Sequence, residues 1–351
     1  MGSAASTMKS ILSVMRNPKR SSSQIKDVID DDSDISDQST IVTTQAGRWE
    51  VGNTIRTGSQ GIIKHCKNLE DNCFVSVSSV RALIMLNLAN KCIEQKGVVK
   101  LIRPESPYKT TPRFSISVDL FRKRVEMEIY AGKTLNHPNI CRMYDFCVDD
   151  SEAYLLFEFI KGSQLLDIII QHGKISHRKI RKWCKQLLSA LDHCHTHRIA
   201  HRDLNVENIM ITPKGNLKLI DFGVCCRFDP EVKLQEPCGR PWYAAPEIYC
   251  NSGYIGPEID IWSFGVLLYT LVCHKLPFDD ESVEGIIEKI KKGQFQLPKH
   301  LSWGEQAYPS QMHTTTDHSA ELKDLISRIL VVDPSRRASL KEIISHPWLN
   351  K

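Results

Sequence analysis

A chain of 351 residues, 41% hydrophobic and 25% charged, has the make-up of a soluble globular protein with one large or two modest cores. Its net charge of +5 is small and spread along the chain, which argues against nucleic-acid binding. Twelve scattered cysteines without a C-x-x-C pair argue against a zinc site; with no signal-peptide pattern and no apolar run of membrane-spanning length, they point to reduced thiols in the cytoplasm.

Residues 1–46 read as a disordered tail, rich in Ser, Thr and Asp and without an aromatic residue. Met1-Gly2-Ser3-Ala4-Ala5-Ser6 fits the N-myristoylation pattern, and Lys9, Arg16, Lys19 and Arg20 follow. An acyl chain plus a basic patch can hold a membrane surface. An unmodified tail with a chance hexamer reads equally well. Trp49-Glu50-Val51 and Ile62-Ile63-Lys64 read as strands around Thr57-Gly58-Ser59-Gln60-Gly61, which is either a phosphate-covering glycine loop or a plain hairpin turn.

Gly97–Arg103 is an apolar strand pattern with one interior lysine, Lys100. The stretch before it, 72–96, exceeds what a hairpin connection needs. It is either a helical insertion or, over Val75–Gln95, a translated intron. Val118–Leu135 has the apolar period of an amphipathic helix and carries both Glu126 and Glu128. Tyr154–Phe159 reads as a strand, and Leu165–Gln171 and Ile175–His195 as helices.

His201–Asn208 (HRDLNVEN) follows, then Asp221-Phe222-Gly223 and Ala245-Pro246-Glu247. Acidic and amide groups at these spacings suit in-line phosphoryl transfer, one to orient a hydroxyl and two to hold Mg²⁺. Ile261–Leu268 is apolar all round, as a fully buried helix is. Ser319–Leu330 and Leu340–Leu349 read as the last amphipathic helices.

From Arg48 onward these ordered motifs resemble a eukaryotic protein kinase domain. Cys238-Gly239, Asp260-Ile261-Trp262-Ser263 and His346-Pro347-Trp348 resemble the calmodulin-dependent-kinase-like group. Gln164-Leu165-Leu166-Asp167 and Leu276-Pro277-Phe278-Asp279-Asp280 look like the fungal Kin and microtubule-affinity-regulating polarity kinases. The resemblance implies a bilobal α+β fold. A small antiparallel β-sheet lobe with one main helix (47–159) precedes a larger, mostly helical lobe (162–351), with ATP bound in the cleft between them. It also implies a monomer that phosphorylates serine and threonine of protein substrates.

By the same resemblance Asp203 orients the substrate hydroxyl, and Asn208 and Asp221 ligate Mg²⁺. Lys100, held by Glu128, clamps the ATP phosphates, and Gly58, Ser59 and Gly61 cover them. Glu158 and Ile160 would bind adenine through their backbone. Glu247 would pair with Arg337, and Asp260 would hold the catalytic-loop backbone.

Three residues depart from that pattern. Arg56 replaces a glycine, Asn205 a lysine that reaches the γ-phosphate, and Arg240 a Ser or Thr that bonds that lysine. The expectation is that Arg240 swings to the phosphate and restores the lost charge. The alternatives are that it occludes the site or pairs with Asp203, leaving a nucleotide-binding or scaffold module. Between Phe222 and Ala245 there is no Ser or Thr, and Glu236 stands where the activating threonine aligns. Glu236 is expected to give Arg202 a permanent negative partner.

Overall fold

The computed structural model describes residues 40–44, 47–58, 61–68, 97–102, 118–148, 153–172, 175–250, 252–297 and 318–351. The readings made for residues 1–39, for Ser59 and for the 72–96 insertion lie outside the described residues. Among the described residues no helix is long and apolar enough to cross a membrane. The chain forms two compact units: Asp34–Lys161 with Ile220–Cys225, and Gly162–Leu219 with Cys226–Lys351.

The first unit is built on six strands: β1 (Thr40–Thr44), β2 (Gly47–Gly58), β3 (Gly61–Asn68), β4 (Gly97–Ile102), β5 (Met143–Val148) and β6 (Ala153–Glu158). They pair antiparallel in the order β1-β2-β3-β4-β6-β5. The first strand falls inside the stretch read as tail. A run of β-branched residues, Thr40-Ile41-Val42-Thr43-Thr44, favours extended chain and pairs with β2 despite its polar neighbourhood. Register shifts between Val51 and Thr54 and between Thr54 and Arg56 mark bulges in β2. At the end of that strand Gly58 faces Gly61 across the turn.

Among the described residues one helix, α1 (Val118–Thr134), belongs to this unit. Val125, Glu128 and Ala131 form its buried stripe, continued by Leu135 just beyond, and Val125 packs on Ala153 of β6. A carboxylate inside an apolar stripe must have a partner, and it has one.

The second unit is mostly helical. Its first elements are β7 (Ser163–Gln164), α2 (Leu165–His172), α3 (His177–Thr196), β8 (Ile199–Ala200), β9 (Ile209–Ile211), β10 (Leu217–Leu219) and β11 (Cys226–Arg227). The short strands pair antiparallel as β10-β9-β7 and β11-β8. Gly162 opens the unit where a Cβ would come 2.2 Å from the Ile211 carbonyl oxygen, so only glycine lets the chain pass.

Helix α3 buries Ile180, Trp183, Leu187, Leu188 and Leu191 on one face. Then come α4 (Gly256–Cys273), α5 (Val283–Lys292), α6 (His318–Ile329) and α7 (Leu340–Ser345). Helix α4 is buried along nearly its whole circumference, with Trp262 stacked on Phe278 at a centroid distance of 5.5 Å. The last helix is shorter than the reading Leu340–Leu349. Pro347 forbids a helical His346, which is extended at φ −63, ψ 136. Ser339 and Glu342 start that helix as a capping box.

Candidate active site

Lys100 lies on β4 between β3 and β6, opposite Ile63 and Leu155. Its Nζ donates to both oxygens of Glu128, at 2.8 and 2.9 Å, and to Asp221 Oδ1 at 2.6 Å. Glu128 is the helix carboxylate that meets the lysine, whereas Glu126, half a turn away, is exposed. Burial opposes the Lys100 charge, but Asp221 and Glu128 outweigh it and hold the ammonium protonated. Burial pushes Glu128 up to about 7, against the pull of Lys100 and with the push of Asp221.

Asp221 has a left-handed backbone, φ 61, and its Oδ1 also accepts the Gly223 N–H at 3.1 Å. Cys225 Sγ donates to the Met127 carbonyl on α1 at 3.5 Å, which ties this short segment to the helix that carries Glu128.

In the second unit β8 delivers the chain into His201–Asn208. Asp260, fully buried on α4, accepts the backbone N–H of His201 at 2.9 Å and of Arg202 at 2.8 Å, and contacts His195 Nε2 at 2.8 Å. Burial works against its charge, but His195, His201 and the Arg202 N–H together hold the carboxyl below its usual range. These bonds hold Arg202 at φ 64, a left-handed conformation that costs a non-glycine residue on the order of 1–3 kcal/mol.

The Asp203 carboxylate is clamped by two amides. Asn205 Nδ2 donates to Oδ1 at 3.1 Å and Asn208 Nδ2 to Oδ2 at 2.9 Å. The same amides reach the Asp203 carbonyl at 2.9 and 2.8 Å. Asn205 Oδ1 in turn accepts the backbone N–H groups of Glu207 (2.9 Å) and Asn208 (3.2 Å), capping a 3₁₀ turn at Val206–Asn208. The residue in the lysine position is thus a buried amide with both ends in use.

The activation segment presses on this loop. Gly239 has φ +77, and a Cβ there would lie 2.7 Å from the Arg202 carbonyl oxygen. Asp203 is not the carboxylate that Arg240 bonds. The Arg240 Nη1 donates to Glu207 Oε1. The Glu207 side chain is 11% exposed, and a carboxylate buried to that degree needs a paired cation.

Arg202 Nη2 donates to Glu236 Oε2 at 3.1 Å and Nη1 to the Tyr254 hydroxyl at 3.0 Å, while that hydroxyl donates to the Glu236 carbonyl at 2.6 Å. Tyr243 is buried. Glu207 and Tyr254 escaped sequence reasoning. Glu207 stood in the motif, but nothing in the spacing marked its partner.

Glu158 ends β6, donates its N–H to the Arg142 carbonyl at 2.8 Å, and accepts the Arg142 N–H on its carboxylate at 2.9 Å. Ile160, two residues on, is buried. Glu247 and Arg337 form a doubly bonded buried pair at 2.7 and 2.9 Å.

Residues 87–349 match the protein kinase domain. The chain belongs to the protein kinase domain family. Among its relatives, protein kinase kin1 of Schizosaccharomyces pombe is 35% identical over 303 residues, 86% of this chain and 31% of that protein. The SNF1-related protein kinase catalytic subunit alpha KIN12 of Arabidopsis thaliana is 40% identical over 227 residues, 65% of this chain and 42% of its own. The probable serine/threonine-protein kinase MARK-A of Dictyostelium discoideum is 38% identical over 228 residues, 65% of this chain and 20% of its own. The chain therefore spans less than half the length of these relatives. Gly58 and Gly61 lie ahead of the matched region, which begins inside the 72–96 stretch.

The kinase domain offers hard oxygen donors for a metal. The Asn208 amide nitrogen is committed to Asp203, which leaves its carbonyl oxygen as the side chain's remaining donor atom. The Asp221 side chain is 26% exposed and has a second carboxylate oxygen besides the one bonded to Lys100. Among the described residues no group of three or more His, Cys, Asp or Glu could hold a metal by itself.

Proposed function

We propose that this kinase domain transfers the γ-phosphate of ATP to serine and threonine hydroxyls of proteins. The observation that carries the reading is the Asp203 carboxylate held by both Asn205 and Asn208. Such a clamp aims an acceptor oxygen, and a scaffold has no use for it. The hydroxyl oxygen attacks the γ-phosphorus, the bond to the β–γ bridging oxygen breaks, and Asp203 takes the hydroxyl proton. Mg²⁺, with Asn208 and Asp221 as its protein donors, supplies charge that offsets the phosphates.

Lys100, kept charged by Glu128 and Asp221, binds phosphate oxygens. Gly58, Ser59 and Gly61 cover the phosphates, and Glu158 and Ile160 bind the adenine. Serine and threonine as acceptors are supported by relatives that carry the name, such as serine/threonine-protein kinase ppk25 of Schizosaccharomyces pombe, 33% identical over 308 residues.

The test is phosphate transfer from labelled ATP·Mg²⁺ to a generic protein substrate by wild type and Asp203→Asn, followed by phosphoamino-acid analysis. Phosphoserine and phosphothreonine from wild type alone support the reading. Equal transfer by both proteins, or none by wild type, overturns it.

A further inference from the structure

We infer that Arg240 is a positioning residue that fixes Glu207 and, through Asn205, the Asp203 carboxylate. This inference rests on the phosphotransfer reading above. It replaces the idea of Arg240 as a phosphate clamp.

Arg240 is held at both ends. Its carbonyl accepts the N–H groups of Tyr243 (2.9 Å) and Ala244 (3.0 Å), which fixes the turn it begins. Its guanidinium bonds Glu207, and the two side chains are 24% and 11% exposed. Burial works against the Arg240 charge, but Glu207 and, less strongly, Asp203 outweigh it. Glu207 is held at three points: the Arg240 guanidinium, the Asn205 Oδ1 that takes its N–H at 2.9 Å, and the Gln164 Nε2 that donates to its carbonyl at 2.9 Å. Asn205 then reaches Asp203 Oδ1.

The path from the activation segment to the reacting carboxylate is continuous: Arg240, Glu207, Asn205, Asp203. Without Arg240, the Glu207 carboxylate is a nearly buried charge without its cation and must turn toward water. The Val206–Asn208 turn then loses its tie to the segment after Gly239, so the Glu207 N–H that Asn205 accepts, and with it the amide on Asp203 Oδ1, is held less firmly. An amide in the lysine position and an arginine after Gly239 therefore work as one unit. Asn205 needs a fixed Glu207, and Arg240 fixes it.

The two roles of Arg240 give opposite results when Glu207 is removed. A phosphate clamp would be released by Glu207→Ala, and turnover would hold or rise. A positioning residue would make Glu207→Ala copy Arg240→Ala. The experiment measures kcat and the KM for ATP on the full chain. Each single variant should lower kcat about tenfold, the scale of one charge-assisted hydrogen bond, with KM for ATP within about twofold. The double variant should be no worse than either single one. Arg240→Lys should recover part of the rate, and the swap Arg240→Glu with Glu207→Arg should recover part of it too.

Unchanged kcat in Glu207→Ala beside a loss in Arg240→Ala overturns the inference, as does a rise in ATP KM confined to Arg240→Ala. Amide hydrogen exchange gives a readout that needs no turnover. Exchange over 203–209 should rise in both Arg240→Ala and Glu207→Ala. If it stays at the wild-type level in Arg240→Ala, the path does not exist. An inactive wild type with that rise would sink the phosphotransfer reading and leave the coupling standing.

Discussion

Replacing Asn205 with alanine removes four hydrogen bonds at once. Two backbone N–H groups, of Glu207 and Asn208, lose their side-chain acceptor. Losing such a cap costs about 1 kcal/mol. The Asp203 carbonyl and carboxylate lose an amide donor at a site with no water access, since Asn205 is fully buried. A hydrogen bond to a charged group contributes about 2 kcal/mol. Together these give a loss of about 3 kcal/mol, or a fall in Tm of about 6–12 °C for a unit of this size.

The informative comparison is Asn205→Asp, measured by calorimetry and urea denaturation. Aspartate keeps the cap but cannot donate, and it sets a like charge where the amide now lies 3.1 Å from Asp203 Oδ1. It should be at least as destabilised as alanine. If Asn205→Asp is as stable as wild type, Asn205 is only a helix cap and the clamp on Asp203 is energetically empty. A loss below about 1 kcal/mol for alanine would refute the magnitude.

Four further outcomes are expected. The Asp260 carboxyl is depressed in the folded state, so its stabilisation is full above about pH 4 and drains as the pH falls through the folded value. Asp260→Asn should be less stable near neutrality, with a gap in urea midpoint that narrows below pH 4. Arg337→Ala strands the buried Glu247 and should cost about 3–5 kcal/mol, most of it recovered when Arg337→Met is combined with Glu247→Leu. Glu236→Ala should change stability by less than about 1 kcal/mol, because that carboxylate is 39% exposed, yet lower turnover. Phosphatase treatment should leave wild-type turnover unchanged, because no Ser or Thr lies between Phe222 and Ala245.

What the sequence disclosed was what is local. The resemblance to the kinase pattern chose Glu128 over Glu126, and helical phase agrees with it, because residues two apart on a helix face different ways. Side-chain period located α1 and α3 to within two residues, while the continuous apolar run Ile261–Leu268 marked α4 but fell five residues short of it at each end. The misses were of two kinds. In β1 a five-residue β-branched run was diluted by the acidic, serine-rich composition around it. In α7 the periodicity ran on through Pro347, although the proline itself carried the stop signal.

The Arg240–Glu207 pair was hidden for a different reason. Its two residues lie in separate segments and meet only because Gly239 folds closely over Arg202. No pattern within either segment encodes that approach.

Lys100, Glu128 and Asp221 share one unit, but Asp221 comes from a six-residue segment, Ile220–Cys225, that the chain supplies after a long excursion. The sheet unit is therefore not autonomous. A fragment ending at Lys161 carries one of the two acids that meet the Lys100 ammonium, whereas the whole unit holds both. On the ribosome that fragment exists before its third member. Roughly 60 more residues must be made before residue 220 appears, a delay of about 3–12 s at ordinary elongation rates. Through that interval the chain has one acid, Glu128, to set against the Lys100 ammonium, and the second arrives only with the later segment.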